Sequence, residues 1–226
     1  MRVVALMPAH NEASRIVDTI RAIRQVEVID EVIVIDDGSS DETGSVARTA
    51  GATLIALPAN RGKGEALEAG MAAAGSADVV ALVDADLGRS ASQVTALLEP
   101  VIAGEVDMAI ASFPRPAAKA GFGFVQGLAR WGVRRFGGPF DARSPLSGQR
   151  VLNRTALEAC RPFESGYGVE VALTIRALRA GLSIAEVPTT MTHAATRRDV
   201  AGFMHRGRQF MHVAAALVRV AREPYR

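Results

Sequence analysis

Asp78-Val79-Val80-Ala81-Leu82-Val83-Asp84-Ala85-Asp86 is an apolar, β-branched run closed by two carboxylates two residues apart. A short run of this kind reads as a buried strand. Acids delivered from its end into a loop are oxygen ligands suited to a hard cation such as Mg2+ or Mn2+, which can in turn bridge phosphates. A polar loop that merely closes a buried strand is the alternative, because Asp-x-Asp is too short a pattern to decide by itself. The neighbouring segments decide.

The same form recurs on either side. β-branched runs at residues 2–7, 31–35, 53–57, 78–83 and 107–112 alternate with stretches of helical spacing at about 11–25, 41–50, 62–74 and 90–104. Strands alternating with helices imply right-handed βαβ crossovers and hence an α/β fold with a mainly parallel sheet flanked by helices. Ligands of such sheets bind beyond the carboxyl ends of the strands. Three polar clusters fall there: Pro8-Ala9-His10-Asn11-Glu12, Asp36-Asp37-Gly38-Ser39-Ser40 and Asp84-Ala85-Asp86. From Phe113 to Ser144 the pattern loosens, with Pro114, Pro116 and repeated glycines before an amphipathic piece at Val125 to Phe136. This segment reads as a mobile active-site loop and helix, with a surface insertion as the alternative. An apolar run at 149–153, a helix at about 167–180, a strand at about 183–191 and a long amphipathic helix from about Asp199 to Ala221 follow.

Composition narrows the class. With 226 residues, 49% hydrophobic and 22% charged, the chain can bury one full core. The lone Cys160 rules out an internal disulfide and a zinc-thiolate cluster, and reads as a buried, idle thiol in a reducing compartment. Pro8 interrupts the short apolar start, and no uninterrupted apolar run reaches the roughly 18 residues a membrane span needs. A cytoplasmic protein is expected, with peripheral contact at the inner membrane face left open. The net charge of +2 is unevenly placed, acids being frequent before residue 110 and arginine dominating from Arg115 onward. That distribution suits a phosphorylated acceptor or an anionic lipid surface. Aromatic residues, 5% of the chain, are not interleaved with the arginines as single-strand nucleic acid would require, so nucleic acid is not an expected partner.

Several side chains carry the candidate chemistry. Asp36 and Asp37 end a strand, where a carboxylate can accept hydrogen bonds from a ribose or base, although a capped turn also explains Ser40 and Asp41. Asn60-Arg61-Gly62-Lys63-Gly64 opens a helix, and Lys63 at such an N-terminus favours an anion. The spacing is not that of a Walker loop. Arg197, Arg198, Arg206 and Arg208 form a basic group fit for phosphate or for solvent. The helical apolar spacing of Phe203, Met204, Phe210, Met211, Val213, Leu217, Val218 and Val220 predicts core packing or a homodimer seam ahead of lipid contact.

In combination, Met7-Pro8-Ala9-His10-Asn11-Glu12, Ile35-Asp36-Asp37-Gly38-Ser39-Ser40-Asp41-Glu42-Thr43, Asn60-Arg61-Gly62-Lys63-Gly64 and Asp84-Ala85-Asp86 resemble, in order and spacing, family-2 glycosyltransferases with the Rossmann-like GT-A fold. The resemblance is strong over residues 3 to 112 and looser over 145 to 195. It implies a nucleotide-sugar donor, UDP-glucose foremost, with Pro8, Ala9, Asn11 and Glu12 lining the nucleotide pocket, Asp37 near the base and Lys63 holding the nucleoside. Asp84, Ala85 and Asp86 would meet ribose and diphosphate, and Asp86 with His193 would ligate Mg2+ or Mn2+. Leu146-Ser147-Gly148-Gln149-Arg150 and Gly166-Tyr167-Gly168-Val169-Glu170-Val171 are similar to acceptor-side segments of small bacterial members, including glucosyl-3-phosphoglycerate synthases and polyprenyl-phosphate sugar transferases. On that likeness Ser147, Gly148, Gln149, Tyr167, Arg197, Arg198 and Arg206 would bind a small phosphorylated or lipid-linked acceptor. Glu170 would be the general base, with a helix-start carboxylate as the bland alternative. The acceptor-side acid pair of many members is absent, and the sequence leaves retention or inversion open. A single domain over 1–226 is expected, divided into a nucleotide-sugar half (1–112), the loop and helix (113–144), an acceptor-side half (145–198) and the last helix (199–226).

Three other functions share parts of this pattern. A sugar-nucleotide pyrophosphorylase needs an early glycine-rich loop with Gly-Thr-Arg, and none follows the first strand. A haloacid-dehalogenase-type phosphatase needs its acids after the first strand, where Pro8-Ala9-His10 stands. A non-catalytic nucleotide-sugar-binding module is disfavoured by the intact acid pair.

Overall fold

The computed structural model describes residues 1–113, 123–164, 166–192 and 200–224, without the side chains of Tyr167 and residues 200–208. Its strands are β1 (Val3–Ala9), β2 (Glu31–Asp36), β3 (Thr53–Ala56), β4 (Val79–Leu82), β5 (Met108–Ser112), β6 (Arg150–Asn153) and β7 (Ile184–Pro188). They form one seven-stranded sheet in the order β3-β2-β1-β4-β6-β5-β7. Every neighbouring pair is parallel except those of β6, which runs antiparallel to both β4 and β5. The expected mainly parallel α/β sheet is therefore observed.

Side chains of β1 explain its continuous apolar sequence. Val3, Ala5, Met7 and Ala9 enter one core cluster while Val4 and Leu6 enter another, so both faces are covered. The first face is packed by α1 (Ile16–Arg24), α2 (Thr43–Thr49) and α4 (Thr95–Ile102), the second by α3 (Lys63–Ala74), α6 (Arg154–Cys160) and α7 (Val169–Arg179). A third cluster joins α5 (Gly123–Gly137) and α8 (Val200–Arg222) to α7 through Val125, Ala129, Val133, Val171, Ile175, Val213, Leu217 and Val220.

The structure corrects several predicted boundaries. Helix α1 begins only at Ile16, because residues 10–15 turn back to bond the neighbouring loop. The predicted helix at 90–104 is a 3-10 segment, Gly88–Val94, that passes into α4. Strand β7 stops at Pro188. Helix α6 was not anticipated, since seven residues are too few to show a period, although Asn153 caps it by accepting from the Ala156 amide at 2.9 Å. Cys160 ends that helix fully buried, and burial pushes its thiol up to about 12, in keeping with the idle thiol expected.

The strand order fixes where a ligand can sit. From β1 the chain winds outward to β2 and β3 and then crosses back to β4 on the other side of β1, so a crevice opens between the loops after β1 and β4. Antiparallel β6 starts at this same rim. Its Arg150 pairs with Leu82, which carries residues 147–149 alongside Asp84.

Candidate active site

The loops after β1 and β2 are clamped together. Asn11 adopts φ 57°, a left-handed conformation that asparagine tolerates better than most residues. Its amide donates to Ser39 Oγ at 2.9 Å, and its Oδ1 accepts from the Ser40 amide at 2.8 Å. The Glu12 amide donates to Thr43 Oγ1 at 2.8 Å, and His10 Nδ1 lies 2.9 Å from the Asp37 carbonyl oxygen. Asp37, expected near the base, is seen first as a staple: its two carboxylate oxygens accept from the amides of Arg61 and Gly62, each at 2.8 Å. Gly38 makes this approach possible. It sits at φ 65°, and a Cβ there would lie 2.5 Å from the carbonyl carbon of Ala59.

Beneath the acid pair, the buried Thr19 of α1 donates its hydroxyl to the Ala85 carbonyl and accepts from the Gly88 amide, both at 2.8 Å. The loop carrying Asp84 and Asp86 is thereby held from below. Asp84 Oδ1 accepts from Lys63 Nζ at 2.7 Å and Oδ2 accepts from Gln149 Nε2 at 2.6 Å. Lys63 also reaches Glu170 Oε1, at 2.9 Å, in the first turn of α7. Burial opposes the Lys63 charge, but the carboxylates of Asp84 and Glu170 outweigh it and hold the ammonium well above an ordinary lysine. Lys63 is charged at neutral pH.

Gly148 is the cradle of this arrangement. A Cβ there would stand 2.6 Å from both Asp84 Oδ2 and Lys63 Nζ. Gly148→Ala is expected to force the pair apart and to destabilise the fold by about 1–3 kcal/mol as local overpacking, read as a lower thermal midpoint. On either side of it, the hydroxyl of Ser147 and the Oε1 of Gln149 are buried without a partner. Buried polar atoms are nearly always satisfied in native proteins, so this pair suits a polar ligand.

Glu12 and Asp86 form the acidic side of the crevice. Burial raises the Glu12 carboxyl and the nearby Asp86 charge adds to that, against the opposing pull of Arg15, whose Nε lies 2.8 Å from it. Two acids on one side of the crevice suit a cation between or beside them. Among the described residues no group of three or more His, Cys, Asp or Glu is gathered as a metal cage. His193, Arg197 and Arg198 lie outside the described residues, as do the side chains of Tyr167 and Arg206.

One buried charge has no assigned site role in the sequence reading. Arg150 is wholly buried, with Nε donating to the Ser147 carbonyl at 2.9 Å, Nη2 to the Pro145 carbonyl at 3.4 Å and Nη1 to Thr174 Oγ1 at 2.8 Å. Thr174 Oγ1 in turn donates to the Glu170 carbonyl at 3.0 Å. Burial lowers the Arg150 guanidinium to about 10, and the Glu170 charge resists that fall. The guanidinium ties the 145–147 turn to the first turn of α7, the two segments that bring Gln149 and Glu170 to Lys63. Its signal was available, since an arginine heading the run Val151-Leu152 is rare inside a core unless bonded there.

Residues 4–154 match the model of glycosyl transferase family 2. The chain belongs to that family. As a family 2 member it is 33% identical over 207 residues to glucosyl-3-phosphoglycerate synthase of Mycobacterium tuberculosis (strain ATCC 25618 / H37Rv), a match covering 80% of this chain and 63% of that one. The chain thus spans less than two thirds of the length of that curated relative. It is 30% identical over 212 residues to undecaprenyl-phosphate mannosyltransferase of Micrococcus luteus, covering 84% of this chain and 83% of the other. A crystal structure of the M. tuberculosis synthase in complex with Mn2+, uridine-diphosphate-glucose and phosphoglyceric acid superposes with a TM-score of 0.79 at 28% identity, covering 99% of this family 2 chain and 80% of the synthase.

Proposed function

We propose that this family 2 chain transfers a sugar, glucose foremost, from a UDP-sugar to a hydroxyl or phosphate of a small phosphorylated or lipid-linked acceptor. The observation that carries this reading is the charged Lys63 set between Asp84 and Glu170 at the β1/β4 crevice, beside the unpartnered Ser147 hydroxyl and Gln149 Oε1. The likeness to a synthase crystallised with Mn2+, UDP-glucose and phosphoglyceric acid supports it.

In this reading, residues 1–112 hold the nucleotide. Pro8, Ala9, Asn11 and Glu12 line its pocket, and Asp37 fixes the 61–62 turn beside the base. Asp86 with His193 would hold Mg2+ or Mn2+, and the bound cation would supply charge neutralisation of the departing diphosphate. Lys63 would exchange Glu170 for a diphosphate oxygen when the donor enters, because a diphosphate carries more negative charge than a single carboxylate. Glu170, released, takes the proton from an acceptor hydroxyl. Ser147, Gly148 and Gln149 line the sugar side, and Tyr167, Arg197, Arg198 and Arg206 the acceptor side.

The acceptor's chemistry sets what Glu170 must do. A hydroxyl needs its proton removed, whereas a phosphate oxygen attacks already ionised. Glu170→Gln should therefore depress turnover with a hydroxyl acceptor and spare it with a phosphate acceptor.

The test is release of nucleoside diphosphate from a panel of nucleotide-sugars with Mn2+, in the presence of 3-phosphoglycerate or polyprenyl phosphate. UDP-glucose is expected to give release that Asp86→Ala abolishes. No release and no donor binding by calorimetry would sink the reading. Glu12 adds a pH signature. Its raised carboxyl is neutral at lower pH and adds charge beside Asp86 only above its own value, so Mn2+ affinity should rise as pH climbs through that range and level off beyond it.

A further inference from the structure

Seven large apolar side chains stand exposed among the described residues, and five of them lie on α5 and α8: Phe124 (86%), Trp131 (55%), Phe210 (42%), Met211 (65%) and Val218 (51%). Their placement is not scattered. Gly132 of α5 packs against Leu217 of α8, and Arg179 bonds both the Phe136 and the Val220 carbonyls, at 2.9 and 2.6 Å. The helices therefore run side by side in the same direction, with Phe124 level with the Gln209-Phe210 turn and Trp131 level with the turn before Val218.

Helical geometry then fixes the faces. At about 100° per residue, Phe124 and Trp131 fall on one line of α5, on the side nearer α8 and away from the buried Val125, Ala129 and Val133. On α8, Met211 and Val218 fall on one line turned away from the buried Val213, Leu217 and Val220, and Phe210 lies in the seam between the two lines. The result is one outward apolar strip built from both helices. The sequence favoured core packing or a dimer seam for α8. Among its described side chains, Val213, Leu217 and Val220 do pack in the core, and Phe210, Met211 and Val218 belong to this strip.

Charge decides what covers it. The two helices carry seven arginines and not one Asp or Glu across Gly123–Gly137 and Val200–Arg222. Of these, Arg219 is paired with Glu164 at 2.7 Å, while Arg134, Arg135 and Arg222 are exposed, so a second copy seated on this face by two-fold symmetry would set exposed arginines on arginines with no acid of either helix to offset them. An anionic bilayer offers both complements at once, acyl chains for the aromatics and phosphates for the guanidinium groups. No helix of the described residues is long and apolar enough to cross a membrane, so the contact would lie flat on the surface.

We propose that the α5–α8 strip docks on an anionic phospholipid surface, with Phe124, Trp131, Phe210, Met211 and Val218 at the headgroup boundary. This goes beyond the transfer reaction, and it holds whichever acceptor is used.

Trp131 is the sole tryptophan of the chain, so its emission reports on this strip alone. The experiment adds phosphatidylglycerol-containing vesicles, or phosphatidylcholine vesicles, to the full chain at low and high salt. Emission is expected to move to shorter wavelength, iodide quenching to fall and the protein to co-sediment with the phosphatidylglycerol vesicles only, all reversed at high salt. The double variant F124D/M211D, at two highly exposed positions, should lose all three responses while keeping its thermal midpoint. Unchanged emission with no co-sedimentation would overturn the proposal, as would equal binding to phosphatidylcholine. So would an emission shift that follows protein concentration without vesicles and accompanies a dimer in sedimentation velocity, because a second copy would then own the face.

Discussion

Lys63→Ala is expected to lower turnover with the preferred donor by about 10²–10³-fold, the loss typical when one pre-set donor to a developing anion is removed. The change should fall on turnover more than on acceptor affinity. It also leaves Asp84 and Glu170 facing one another with the shared cation gone. Side-chain exposures of 22% for Lys63, 26% for Asp84 and 8% for Glu170 put the cost at about 2–3 kcal/mol, somewhat below the 3–5 kcal/mol seen when a fully buried pair is broken. Linkage gives the sign. The folded protein holds Lys63 above its unfolded value, so the stabilisation is complete below about 10.4 and disappears as pH rises through the folded value. The stability gap between wild type and variant should be flat through neutral pH and close only in strong alkali, as followed by urea unfolding at a series of pH values. A gap that widened with alkali would contradict the bridge.

Arg150→Met should be the most destabilising single change near the site. It keeps most of the volume but orphans the Ser147 and Pro145 carbonyls and removes the donor to the Thr174 hydroxyl, which argues for a loss of about 3 kcal/mol or more. That corresponds to a fall of about 6–12 °C in thermal midpoint for a chain of this size. Arg150→Lys should not rescue it, since one ammonium cannot reach three acceptors that a planar fork satisfies. Because the same guanidinium braces the start of α7, the Met variant should also lose turnover beyond what its lower stability explains, measured well below its midpoint. A stable, fully active Met variant would show that the fork is dispensable.

Much of the fold was legible because a buried parallel sheet writes itself as apolar runs. The five strands of the first half lie within two residues of their predicted places, and the three polar clusters do meet at one rim. The sense of β6 was hidden, because Arg150-Val151-Leu152-Asn153 reads the same in either direction and only its pairing with β4 and β5 shows the reversal. Within the site, Lys63, Asp84, Gln149 and Glu170 were each visible as candidates with separate roles. That they share one hydrogen-bonded chain could not be read, because the contact is set by how α7 docks. The staple role of Asp37 was equally invisible, since its partners are backbone amides that carry no side-chain signature.

The Lys63 bridge spans 21 residues to Asp84 and 107 residues to Glu170. Contacts so far apart in sequence are made only at the cost of the chain entropy of the loop they close. Until α7 docks, Lys63 has Asp84 beside it but not Glu170. One side chain therefore joins the loop after β4 to the start of α7, and the crevice has its final charge pattern only where both are in place.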